Sequence, residues 1–82
     1  MSYIVYGKDD CNYCTLACML LDNNDIEYTY VDVGVERGKE ELLSLATKHG
    51  VVVTTVPQIL NGDVWVGGYK ELSEYVSTVT TK

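Results

Sequence analysis

An α/β architecture with the element order β-α-β-α-β-β-α is what this 82-residue chain predicts, and three observations predict it. Short β-prone runs alternate with stretches of helical periodicity as far as Gly50. Beyond that, an Asn-Gly pair between two apolar runs marks a hairpin. A Cys-X-X-Cys pair stands where the first strand gives way to the first helix. The β-α-β opening implies a parallel strand pair joined by a right-handed crossover.

The first strand is expected from Met1 to Gly7, where Tyr3-Ile4-Val5-Tyr6 is continuously apolar and Gly7 ends the run. Residues 8–12 form a loop, with Asp10 as candidate N-cap of a helix reaching about Leu21. Within it Cys14, Ala17, Cys18 and Leu21 follow i, i+3, i+4, i+7 spacing, and Leu16 and Leu20 widen the apolar surface, as for a helix lying on a sheet. The turn formers Asp22-Asn23-Asn24-Asp25 stop it.

A second strand spans Ile26 to Val33, with Ile26, Tyr28 and Tyr30 facing one way and Glu27 and Thr29 the other, before Gly34 breaks it. A second helix follows from about Arg37 to His49. Leu42, Leu45, Ala46 and His49 share its stripe, Leu43 lies beside it, and Gly50 holds the C′ position. Val51 to Val56 is strongly β-prone and is expected to be strand in part, although Pro57 removes a donor and keeps Val56 extended. Gln58-Ile59-Leu60 and Val64-Trp65-Val66 flank Asn61-Gly62-Asp63, a strong hairpin signal. After Gly67-Gly68, the spacing of Leu72, Tyr75, Val76 and Val79 predicts a third helix whose tail frays from Thr78. No repeat, linker or low-complexity run interrupts, so residues 1–82 read as a single domain.

Composition narrows the function. Six Lys+Arg against twelve Asp+Glu give a net charge of −6, which argues against nonspecific nucleic-acid binding. No apolar run approaches the roughly 20 residues of a membrane span. Met1-Ser2-Tyr3-Ile4 carries neither a basic n-region nor an apolar h-region, so a cytoplasmic protein is expected. Three cysteines packed between positions 11 and 18 cannot staple distant parts of a small fold, and in a reducing compartment they point to catalysis or metal binding. A zinc site lacks a second ligand pair, with His49 on another element, so no metal is expected.

Disulfide exchange fits the cysteines best. Cys11 and Cys14 are three apart at a helix start and lie on one side. There the orphan N–H groups and the helix dipole favour thiolate over thiol. Cys11 is the expected nucleophile, and Cys14, one turn inward, the resolving thiol. Lys8 adds positive charge beside Cys11, while Asp9 and Asp10 oppose it. Cys18 reads as a small core residue, with a regulatory thiol as the alternative. His49 reads as a capping or packing residue and Trp65 as hairpin packing.

Three pieces in order, Cys11-Asn12-Tyr13-Cys14, Thr55-Val56-Pro57-Gln58-Ile59 and Gly67-Gly68-Tyr69, resemble the glutaredoxins of the thioredoxin superfamily, in their small bacterial and phage-type form. The resemblance implies a thioredoxin-like four-stranded mixed sheet flanked by three helices. It also implies a monomeric thiol–disulfide oxidoreductase that uses glutathione and reduces glutathione mixed disulfides or protein disulfides such as that of ribonucleotide reductase. By the same resemblance Tyr13 lines the cleft, and Thr55, Val56 and a cis Pro57 present the Val56 backbone to glutathione or substrate. Gly68 and Tyr69 N–H would receive the γ-glutamyl carboxylate, and Glu71 the ligand's ammonium; Lys8 belongs to the same cleft. Arg37 and Lys39 are candidates for the glycine carboxylate, or are solvated helix charges. Two departures stand out: Asn12 replaces the usual proline, and Lys70 stands where the family often has an acidic or hydroxyl residue. These keep two alternatives open, a redoxin reduced by thioredoxin reductase and a glutathione-dependent [2Fe–2S] cluster-binding module.

Overall fold

Seven elements follow one another in the expected order in the computed structural model, which describes residues 2–80, the last two by backbone alone. They are β1 (Tyr3–Gly7), α1 (Asn12–Asn23), β2 (Tyr28–Asp32), α2 (Glu36–His49), β3 (Gln58–Asn61), β4 (Val64–Gly67) and α3 (Tyr69–Thr80). The sheet order is β2-β1-β3-β4. β1 pairs parallel to β2, and antiparallel pairs join β1 to β3 and β3 to β4.

Strand alternation sorts the core onto two faces, because successive side chains leave a strand on opposite sides. From β1, Tyr3 and Val5 join Ala17 and Leu21 of α1, Ile59 of β3, and Leu72 and Val76 of α3. Tyr6 joins Leu42 of α2 and Leu60 of β3 on the other face. Central β1 therefore carries α1 and α3 on one side and α2 on the other.

Several boundaries differ from the sequence reading for physical reasons. Residues 51–57 contain no strand: β3 begins only after Pro57, which has no N–H for a ladder, and Val52 is 84% exposed. The β-prone valines there find no partner strand. The hairpin turn is Gly62-Asp63, since Asn61 still pairs with Val64, and Gly62 at φ 61° takes the first turn position that demands glycine. β2 is two residues shorter than expected at its start. α3 stays helical through Thr80 rather than fraying from Thr78, whose hydroxyl donates to the Glu74 carbonyl at 3.0 Å. The expected core roles of Val79's side chain and of Met1 lie outside the described residues. Leu16, at 39% exposure, covers no core. Gly50, at φ 69°, ends α2 with its N–H on the Ala46 and Thr47 carbonyls, as the C′ reading requires.

Candidate active site

The chain leaves β1 at Gly7, turns through Asp10 at φ 59°, and enters α1 by way of Cys11. Cys11, not Asp10, is the N-cap. Its backbone is extended (φ −122°, ψ 103°) and its Sγ accepts the Cys14 N–H at 3.1 Å. Asp10 has the left-handed conformation that Asp tolerates, which places it one residue too early to cap. The carboxylate expected to compete for the first helical N–H groups is thus out of contention, and the sulfur takes that role.

Cys11 and Cys14 form a disulfide, with Cα atoms 5.2 Å apart. Cys11 is half-buried and Cys14 only 2% exposed, so Cys11 is the outer sulfur. The Val56–Pro57 bond is cis, and the Val56 carbonyl oxygen lies 3.7 Å from Cys11 Sγ. A reduced Cys11 can donate its S–H there.

Three hollows surround this disulfide. One, of about 400 Å³, is lined by Tyr13, Thr55, Val56, Pro57, Gly68, Tyr69, Lys70 and Glu71. Tyr13 and Tyr69 meet across it with ring centroids 5.9 Å apart. A second, of about 360 Å³, joins Lys8 and Lys39 to Thr54, Thr55 and Val56 over an aliphatic floor that includes Leu42, Leu43 and Val53. The third, of about 350 Å³, runs behind Cys11 and Cys14 past Asp9, Asp10, Cys18 and Tyr30. Cys11, Cys14, Lys8, Tyr13, Thr55, Val56, Pro57, Gly68, Tyr69 and Glu71 all line these hollows. Lys39 joins them; Arg37 does not, which separates the two candidate α2 cations. A larger hollow at the foot of α1, bordered by Asp22 and Asp25 to Tyr28, holds no nucleophile.

At the start of α3 the donors are differently disposed from the expectation. Gly68 N–H is already donated to Glu71 Oε1 at 3.0 Å. Gly67, at φ 117°, lets Glu71 fold back, since a Cβ on Gly67 would come within 3.0 Å of Glu71 Cβ and Cγ. Glu71 therefore closes the helix start on itself, as the acidic member of a capping box does.

Cys18 is a free, half-buried thiol; burial pushes its pKa up, partly offset by a hydrogen bond with Tyr28. That environment suits a packing residue better than a nucleophile. His49 faces two carbonyls, Leu45 O at 3.0 Å from Nδ1 and Asp63 O at 3.1 Å from Nε2, and packs edge-on against Trp65 at 5.4 Å. It ties α2 to the hairpin turn, as its capping reading anticipated. Trp65 Nε1–H donates to Gln58 Oε1 at 2.9 Å, within the hairpin. Among the described residues no group of three or more His, Cys, Asp or Glu is placed to hold a metal ion.

Residues 3–66 match the family model described as Glutaredoxin. The chain belongs to the glutaredoxin family. Glutaredoxin 1 of Escherichia coli (strain K12) is 33% identical over 81 residues, which cover 93% of either chain. The crystal structure of glutaredoxin 1 from Francisella tularensis complexed with cacodylate shares the fold at TM-score 0.79 and 24% identity, over 99% of this chain and 98% of that one. A buckwheat glutaredoxin–glutathione complex matches at TM-score 0.77 and 23% identity, over 94% of this chain and 69% of that one. The mixed sheet with three helices is thus the glutaredoxin form of the thioredoxin fold, and the chain is a glutaredoxin-type thiol–disulfide oxidoreductase with a redox-active cysteine pair.

Within that glutaredoxin frame, two residues escaped the sequence reading. In the sequence Gly7 reads as the end of a strand, yet a Cβ there would lie 2.9 Å from Cys14 Sγ and 2.6 Å from Tyr30 Oη. Tyr30 reads there as an alternating strand position. A glycine closing a strand just before a cysteine loop was the available signal, because it marks where something must approach the backbone closely.

Proposed function

We propose that this chain works as one cytoplasmic glutaredoxin domain, a dithiol carrier that takes electrons from glutathione and passes them to protein disulfides, with ribonucleotide reductase the family's suggested target. One observation carries the reading: the Cys11–Cys14 disulfide lies against Val56, which two clefts share, and the rims of those clefts bear Lys8, Lys39 and Lys70, half of the six Lys+Arg of an acidic chain. A short anionic peptide with a central cysteine suits such a pair of clefts. Tyr13 and Tyr69 offer it an apolar wall, and the Val56 backbone an antiparallel partner.

The chemistry follows from the two sulfurs. A glutathione thiolate attacks outer Cys11 Sγ, the Cys11–Cys14 bond breaks, and Cys14 leaves as a thiolate. A second glutathione thiolate attacks the glutathione sulfur of that mixed disulfide, releasing oxidised glutathione and a Cys11 thiolate. In the other half-cycle this thiolate attacks a substrate disulfide. Cys14 then displaces the substrate sulfur and restores the Cys11–Cys14 bond. The α1 N-terminus and Lys8 favour the Cys11 thiolate throughout.

A second reading is favoured by one specific contact. Glu71 holds the Gly68 N–H that a γ-glutamyl carboxylate would use, which suits a redoxin reduced by thioredoxin reductase instead. NADPH oxidation coupled through glutathione and glutathione reductase, with a small glutathione mixed disulfide as substrate, separates the two. The expected result is turnover by the wild type that falls to background in Cys11→Ser. A folded, reduced wild type that turns over only with thioredoxin reductase would replace the first reading with the second.

A further inference from the structure

Cys14 must ionise to do its part, and its surroundings oppose that. It is 2% exposed, and a buried thiol resists taking charge unless something hydrogen-bonds the thiolate. Tyr30 is the group in position to do so. Although its ring is 42% exposed, its hydroxyl turns inward over Gly7. A single added carbon at Gly7 would touch both Tyr30 Oη, at 2.6 Å, and Cys14 Sγ, at 2.9 Å, so oxygen and sulfur crowd the same point beside the Gly7 backbone. Both also line the groove that opens behind the disulfide.

The hydroxyl is loosely engaged elsewhere. It donates to the Lys8 carbonyl at 3.4 Å, long for an O–H···O bond and therefore cheap to give up. A phenol O–H rotates freely to suit its best acceptor. In the oxidised form the disulfide sulfur is a poor acceptor and the carbonyl keeps the proton; a thiolate would be far the stronger acceptor.

We propose that Tyr30 is the hydrogen-bond donor to the resolving thiol, its O–H swinging from the Lys8 carbonyl to Cys14 Sγ when that sulfur becomes a thiolate. This rests on the dithiol reading, in which Cys14 resolves. The step balances without any other reagent. Cys14 S–H releases its proton to solvent along the groove, and the thiolate attacks Cys11 Sγ of the mixed disulfide. The Cys14–Cys11 bond forms as the bond from Cys11 to the substrate sulfur breaks, and that sulfur departs as a thiolate. Tyr30 keeps its proton throughout; burial foremost, then the charges of Cys18, Asp32 and Asp9, push its pKa upward. The charged or titratable groups facing the pair are Lys8, Asp9 and Asp10 from the loop, Cys18 from α1 and Asp32 from β2.

The test reads Cys14 directly. In a Cys11→Ser, Cys18→Ala background, which leaves Cys14 the one thiol, thiolate absorbance gives the Cys14 pKa, and adding Tyr30→Phe should raise it by about one unit, the effect of one hydrogen bond to a charge. With both cysteines present, Tyr30→Phe should slow reduction of a protein disulfide about tenfold. Turnover of a small mixed disulfide by the Cys14→Ser protein, which needs no resolving step, should not change on adding Tyr30→Phe. An unchanged Cys14 pKa overturns the proposal, as does equal slowing of both reactions, which would mean a packing role. Should Tyr30→Phe fail to fold, 3-fluorotyrosine placed at position 30, a stronger donor, must lower the Cys14 pKa; no movement refutes the donor role. Because the pKa readout needs no glutathione, it stands even if the wild type proves inactive in the glutathione-coupled assay.

Discussion

Glu71 shows how much one side chain decides at this site. Its carboxylate satisfies the Gly68 N–H and sits at the positive end of α3, two stabilising effects that coincide. Glu71→Ala should therefore cost about 0.5–1 kcal/mol, read as a lower urea midpoint with unchanged slope. The same substitution frees a donor for a ligand carboxylate, so KM for a glutathione mixed disulfide should fall. A KM that rises would show instead that Glu71 meets the ligand's ammonium. The sequence does not show this self-capping contact: there the family resemblance assigns Glu71 to the ligand's ammonium, and nothing local tells that its carboxylate already holds the Gly68 N–H. Asp10 was misread for a similar reason. A residue type common at N-caps stood one position before the true cap, and only the backbone's left-handed turn reveals that a sulfur has taken the place.

Helix α2 owes its position to Gly38, where a Cβ would run into the Asp32 carbonyl at the end of β2. Backbone cannot yield as the end of a flexible side chain can, so Gly38→Ala must push the first turn of α2 off the sheet. The expected cost is about 1–3 kcal/mol by thermal melting. Lys39, the next residue, should move away from Lys8, and KM for an anionic substrate should rise with kcat little changed. Elements defined by their own periodicity were legible: α1, α2, α3 and the hairpin all lie where their apolar spacing put them, because each buries one stripe or face. The segment from Val51 to Val56 was misread because strand status depends on a partner, which local composition does not encode. The segment is a loop that leads into the cis Val56–Pro57 bond, with the Val56 carbonyl oxygen 3.7 Å from Cys11 Sγ.

Buried tyrosines set the alkaline limit of the whole molecule. Tyr6 is fully buried and donates to Glu41 Oε2 at 2.7 Å; burial first, then that hydrogen bond and the Glu41 charge, raise its pKa well above the ordinary 10.0. Burial and its Cys18 hydrogen bond push Tyr28 up to about 12. Folded pKa values above unfolded ones mean that this stabilisation is complete below the ordinary 10.0 and is lost as pH rises through the folded values. Urea midpoints should therefore stay level on approaching pH 10 and drop above it, and Tyr6→Phe should flatten that drop. The strand order has a consequence of another kind, in the timing of synthesis. Central β1 is made first but gains its antiparallel neighbour β3 only after more than fifty further residues have been made, and chains emerge N-terminus first. Cys11 and Cys14 thus leave the ribosome well ahead of Val56, Pro57 and the start of α3. Until residues 56–71 arrive, the nascent protein carries its sulfur pair with no cleft around it, and selectivity waits on residues made more than forty positions after the sulfurs themselves.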